Sequence, residues 1–167
     1  MYRTGIMTLS DLGSKGQRED KSGPMIATML AETTLYEVVK TIILPDDLET
    51  IKTALMAWAD EDNLDLILTT GGTGFSGRDW TPEATIAVCD RMTPGIPEAM
   101  RYHSLQITPK AMLSRSAAGI RKQTLIINLP GSPKAVKENL EAILPALDHG
   151  LEMLLTTGSA NCAEPIK

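Results

Sequence analysis

LDLILTTGGTGFSGRDWTPEAT (Leu64–Thr85) holds three kinds of chain in succession. Leu64–Thr70 is a compact apolar run, suited to a strand buried on both faces. Gly71, Gly72, Gly74 and Gly77 then interrupt any regular element. Thr81-Pro82-Glu83 follows, with a hydroxyl to cap a helix and a proline for its first turn. Strand, glycine loop and helix in that order form one βα unit, and such units build parallel sheets covered by helices.

The pattern continues in both directions. Tyr2–Leu9 and the β-branched Tyr36–Leu44 read as strands, and so does Gln123–Leu129. Ser22 is placed to cap a helix with Pro24 in its first turn and Met25, Ile26, Met29 and Leu30 at helical spacing. Asp46 or Asp47 can cap the next, where Leu48, Ile51, Leu55 and Trp58 share one face. Pro133 starts a long helical stretch after the turn PGSP. Residues 92–120 mix proline, glycine and helical pieces and resist assignment. The expected fold is α/β: a single three-layer domain over residues 1–156, with a mostly parallel sheet flanked by helices, and a loose tail over 157–167.

Composition narrows the function. The chain has 167 residues, 43% hydrophobic but only 4% aromatic, so its core is aliphatic and Met-rich. A net charge of −5 disfavours non-specific nucleic-acid binding. No segment approaches the roughly 20 apolar residues of a membrane span, and the opening residues lack a signal-peptide pattern; a cytoplasmic protein is expected. Cys89 and Cys162 lack CxxC spacing, and His103 and His149 stand alone, so neither a zinc signature nor a disulfide framework is present. Cys89 reads as a small core residue, Cys162 as a thiol in the tail, and both histidines as structural.

In a parallel sheet, ligands bind beyond the carboxyl ends of the strands. The Gly71–Gly74 loop belongs there. Its glycines permit positive φ and close backbone approach, and successive N–H groups can cradle an anion, usually phosphate. Thr70, Thr73 and Ser76 add hydroxyls, and the helix opening at Thr81 adds partial positive charge. Gly72–Gly77 is formally GxGxxG, but the dinucleotide fingerprint opens its helix within the motif on the first βα turn, and here no helix is expected before Thr81. A P-loop is excluded too, because Arg78-Asp79 stand where Lys-Ser/Thr is needed. Asp79 beside an anion site repels phosphate unless a cation lies between them, and Mg²⁺ favours a carboxylate together with phosphate oxygens. Alternatively, Asp79 caps a turn and pairs with Arg78.

These residues resemble the signature of the Mog-type molybdopterin adenylyltransferases, the family that includes the G domain of gephyrin. The resemblance extends to TLSDLGSKGQREDKSGP (Thr8–Pro24), LPDD (Leu44–Asp47), PGIPEAMR (Pro94–Arg101), AMLSRSAAGIRKQTLIINLPGSPKAV (Ala111–Val136) and ILPALDHGLEML (Ile143–Leu154). It implies transfer of AMP from Mg²⁺-ATP to the terminal phosphate of molybdopterin, with pyrophosphate released. It further implies a homotrimer and hand-off of the product to a molybdate-inserting protein. Carried over residue by residue, it gives Asp79 the metal-positioning role and Asp46, one place from the equally acidic Asp47, a second catalytic role. Thr70, Gly71, Gly72, Thr73 and Gly74 would hold the nucleotide phosphates. Ser10, Asp11, Asp20 and Ser22 would meet ligand, and Ser114, Asn128, Pro130, Gly131 and Ser132 would line the pterin side. Phosphoryl-group transfer needs positioning and charge neutralisation rather than a protein nucleophile, and the chain offers no nucleophile–base arrangement. The other reading is a non-catalytic molybdopterin-binding or scaffold module of the same fold.

Overall fold

The computed structural model describes residues 1–156; the expected tail 157–167, with Cys162, lies outside the described residues. Five of its elements lead to the first half of the sheet: β1 (Tyr2–Leu9), a short α1 (Asp11–Ser14), α2 (Ser22–Ala31), β2 (Tyr36–Leu44) and α3 (Leu48–Asp60). β3 (Leu66–Thr70) and α4 (Thr81–Val88) follow. The region that resists assignment in the sequence forms β4 (Arg91–Met92), α5 (Gly95–Leu105), a 3₁₀ turn (Pro109–Leu113) and β5 (Ala118–Arg121). β6 (Thr124–Leu129) and α6 (Pro133–Leu155) complete the chain.

The strands form one sheet in the order β2-β1-β3-β6-β5-β4. β1, β2, β3 and β6 run parallel, whereas β5 pairs antiparallel with both β6 and β4. The expected mostly parallel sheet is therefore mixed, with an antiparallel edge of two short strands.

Alternation along the central strands divides the core. Leu66 and Leu68 of β3, and Leu125, Ile127 and Leu129 of β6, pack with Ile26, Leu30, Met100 and the inner face of α6. Ile67 and Ile126 face the other way, onto Ile51, Leu55 and Trp58 of α3 and Ala84 and Val88 of α4. This gives three layers, each central strand contributing to both cores.

Two expected helix caps are corrected. Ser22 is the first residue of α2, not its cap; Asp20 does that work, accepting the N–H groups of Ser22 and Gly23 at 3.0 Å. Thr81 likewise lies inside α4, and its hydroxyl donates to the Gly71 carbonyl at 2.9 Å. Both hydroxyls tie helix starts to neighbouring loops, the Ser22 hydroxyl by donating to the Gly131 carbonyl at 2.8 Å.

Asn128 serves the sheet itself. It is fully buried and points into the α4 side of the sheet, away from the cleft described below. Its amide donates to the hydroxyls of Thr69 and Thr85 and accepts the Ala117 N–H, extending the β5–β6 ladder by one residue. Asn128→Ala leaves the Ala117 N–H unpaired in the core. Urea unfolding of that variant is expected to show a loss of about 3 kcal/mol; a loss within error of zero would rule out this structural role.

Candidate functional site

The chain passes to β2 on one side of β1 and, later, to β3 on the other, so the carboxyl ends of β1 and β3 form the topological switch point where α/β sheets bind ligands. A cleft of roughly 800 Å³ opens there. Its floor is the end of β3 with Gly71 and Gly72, and its walls come from the β1–α1 loop, the segment 18–22 and Gly131–Pro133.

The floor needs glycine. Gly71 and Gly72 adopt φ of 98° and 64°, in the left-handed region. A Cβ on Gly71 would collide with the Leu9 carbonyl, and one on Gly72 with the Thr81 hydroxyl and Asp46 Oδ1. The Gly71 N–H donates to the Leu129 carbonyl, whereas Gly72, Thr73 and Gly74 donate no backbone N–H to another described residue. Those donors are what an anion requires.

Asp46 is the one carboxylate of the cleft whose pKa is raised. Its Oδ2 accepts the Asp11 N–H at 3.1 Å, and Asp11 Oδ1 accepts the Asp46 N–H in return. Asp46 Oδ1 is buried without a partner. Burial pushes its carboxyl above the ordinary value, and the negative charges of Asp11 and Asp79 add to the shift. Asp47 does something different. It caps α3, accepting the N–H and hydroxyl of Thr50, which lowers its carboxyl pKa. The two neighbouring acids thus differ in place, with Asp46 in the cleft and Asp47 at a helix start.

Asp79 also lines the cleft, and its Oδ2 accepts the Ser76 N–H at 2.9 Å. It does cap a turn, but it does not pair with Arg78. Arg78 instead reaches across the cleft mouth to Asp11, with Nε and Nη2 donating at 3.0 and 2.9 Å. That fork holds the Asp11 carboxyl below its ordinary value.

The cleft brings together Ser10, Asp11, Asp20, Ser22, Asp46, Thr70, Gly71, Gly72, Asp79, Gly131 and Ser132 among the expected residues. Several are partly engaged: Ser10 and Ser132 cap α1 and α6, and the Asp20 carboxylate accepts the Thr8 hydroxyl as well as its two helix N–H groups. Thr73, Gly74, Ser114, Asn128 and Pro130 do not line it. The carbonyls of Thr73 and Gly74 face Arg115, the Ser114 hydroxyl bonds Ser116, and the Pro130 carbonyl accepts the Thr70 hydroxyl. Arg18 and Lys21 join the lining unforeseen; their position in a polar, glycine-rich loop was the only available signal. His103 and His149 are not buried in either core but lie on α5 and α6, and burial raises the Cys89 thiol to about 11. Among the described residues, no three His, Cys, Asp or Glu side chains converge on a metal position.

The chain is similar to known proteins in sequence and in fold. Residues 5–149 match the family model described as "Probable molybdopterin binding domain". The chain is 46% identical over 157 residues to the molybdopterin adenylyltransferase of Helicobacter pylori strain J99, covering 90% of this chain and 86% of the relative. It is 47% identical over 146 residues to that of Escherichia coli K12, covering 86% and 74%. Among solved structures, the molybdopterin biosynthesis enzyme MoaB of Thermus thermophilus superposes with a TM-score of 0.88 at 50% identity, over 92% of this chain and 96% of that one.

The raised Asp46 carboxyl has a consequence for stability. Its folded-state pKa lies above the unfolded value, so the ionised group destabilises the fold once pH exceeds the folded pKa, and the cost vanishes below the unfolded pKa. In EDTA and without ligand, Asp46→Asn is expected to be more stable than the wild type by about 1 kcal/mol at neutral pH. The difference should close as pH falls towards about 4. Thermal melts across that range check it; an offset independent of pH contradicts the assignment.

Proposed function

As a member of the molybdopterin-binding family matched over residues 5–149, this chain is, we propose, a molybdopterin adenylyltransferase of molybdenum cofactor biosynthesis. It transfers AMP from ATP to the terminal phosphate of molybdopterin and releases pyrophosphate. The observation that carries this reading is the buried, unpartnered Asp46 Oδ1 beside the Gly71–Gly72 floor, facing the same cleft as Asp79.

The residues present fit Mg²⁺. Asp46 and Asp79 both line the cleft, Asp46 with an orphaned oxygen, and Mg²⁺ takes one or two carboxylates plus substrate phosphates rather than a complete protein cage. Asp79 and Asp46 would hold it, and when bound it supplies neutralisation of the phosphate oxygens. The protein's own contribution is placement. The unpaired Gly72 N–H at the cleft floor receives the nucleotide phosphates, and the segments around Ser22 and Gly131–Ser132 form the opposite wall, for molybdopterin. Arg18 and Lys21 lend positive charge to a cleft otherwise lined with carboxylates. The attacking group is already a phosphate oxygen, so alignment and electrostatic stabilisation account for catalysis and no protein nucleophile is required.

We further propose a homotrimer acting in the cytoplasm, passing its product to a molybdate-inserting protein. No helix among the described residues is long and apolar enough to cross a membrane. Tyr102, Leu105, Ile107, Met112 and Leu113 lie exposed along α5 and the 3₁₀ turn, an apolar surface that suits a subunit interface.

Pyrophosphate release from Mg²⁺-ATP is expected only when molybdopterin is present. Asp79→Asn is expected to lower that turnover by about 100- to 1000-fold while molybdopterin still binds. Absence of pyrophosphate from the wild type, with molybdopterin bound, would instead establish a binding module. Light scattering at micromolar concentration should give three times the 18.0 kDa chain mass; a monomer there contradicts the trimer.

A further inference from the structure

Arg115 lies outside the cleft, yet it binds the Thr73–Asp79 loop at both ends. Its backbone N–H donates to the Thr73 carbonyl at 2.9 Å. Its guanidinium donates through Nε to the Gly74 carbonyl and through Nη2 to the Asp79 carbonyl, both at 2.6 Å, and through Nη1 to the Glu83 carboxylate. One residue thus grips the loop at its start and its finish and ties it to the first turn of α4.

Apart from the Arg78 fork on Asp11 at the cleft mouth, the loop has few other anchors. Phe75 is 70% exposed, and nothing lies within 4 Å of where a Gly77 side chain would begin. The bonds between Ser76 and Asp79, N–H to carbonyl in one direction and N–H to carboxylate in the other, make a closed turn. That turn fixes its own shape but not where it sits relative to Asp46. Arg78 holds one end of the turn to Asp11, and the planar fork of donors on Arg115 holds the other side, at Gly74 and the Asp79 carbonyl, with the Glu83 carboxylate keeping that fork aligned.

We propose that Arg115 is a positioning residue for the adenylyl transfer: it holds Thr73–Asp79 in place so that the Asp79 carboxylate faces the cleft opposite Asp46. This rests on the reaction proposed above. Arg115 touches neither substrate, and it acts through Asp79. Because its contacts are with a surface loop and not with either core, its loss loosens the loop and leaves the domain folded.

The test uses the full chain with Arg115→Ala and Arg115→Lys. For the alanine variant, kcat is expected to fall about 100-fold, and the Mg²⁺ concentration for half-maximal rate to rise, while KM for molybdopterin stays at the wild-type value. The lysine variant, which keeps the charge but gathers its donors on a single nitrogen, should recover part of the loss, and so should free guanidinium added to the alanine variant. A second readout needs no substrate. Trp80 adjoins Asp79 and is 40% exposed, whereas Trp58 is buried, so iodide quenching of tryptophan fluorescence reports the loop; Arg115→Ala should increase it. Unchanged turnover, an unchanged Mg²⁺ requirement or unchanged quenching overturns the proposal, and Arg115→Lys decides by the same criteria if the alanine variant does not fold. A wild type that releases no pyrophosphate with molybdopterin overturns the reaction instead, and the quenching result still decides whether Arg115 places the loop.

Discussion

Everything at the functional end of the molecule depends on how closely three strand ends approach one another at Gly71. Its N–H is bonded to the Leu129 carbonyl at the end of β6, and its own carbonyl receives the Thr81 hydroxyl from α4. Its Cα faces the Leu9 carbonyl at the end of β1, and Gly131 packs against it from the far side. A side chain at Gly71 would drive β1 away from β3, separating the Ser10–Asp11 segment from the glycine floor. The cleft thus exists because the backbone of one residue is crowded on every side, and hydrogen bonds rather than apolar contacts satisfy the crowding.

That junction surrounds charges that do not suit one another. Asp11, Asp20, Asp46 and Asp79 line one opening, and among them only Asp11 is neutralised by an arginine fork. Asp46 bears the largest cost, being half-buried with one oxygen unanswered. Destabilised carboxylates persist where a function uses them. Under the proposed reaction, such a cleft suits a polyphosphate that arrives with a divalent cation better than a bare one.

The sequence carried the parallel half of the fold in plain form. Apolar runs marked β1, β2, β3 and β6, and the face of α3 followed from Leu48, Ile51, Leu55 and Trp58 as expected. The antiparallel edge was illegible because β4 and β5 are two and four residues long, too short for any period to show. In the site, motif membership located the neighbourhood but not the direction of a side chain. Asn128 illustrates the difference: period-two alternation places it with Ile126, on the α4 side, although its neighbours Gly131 and Ser132 do reach the cleft. Arg115 stands in a motif segment, but its hold on the loop was illegible for another reason. Its guanidinium partners lie 32 to 41 residues away in the chain, and no local pattern records such a pairing.

The reversed strand at the sheet edge has a meaning beyond topology. A parallel strand delivers to the functional edge only the residues that follow it. β5 runs the opposite way, pairing Ala118 with Ile127 and Arg121 with Thr124, so it delivers the residues that precede it. Arg115 therefore emerges beside the glycine loop, from a segment that would otherwise sit at the opposite end of the sheet. The direction of one four-residue strand decides which end of the domain its flanking chain can serve. A catalytic edge built from successive βα loops thereby acquires a brace from a part of the chain that belongs to none of them.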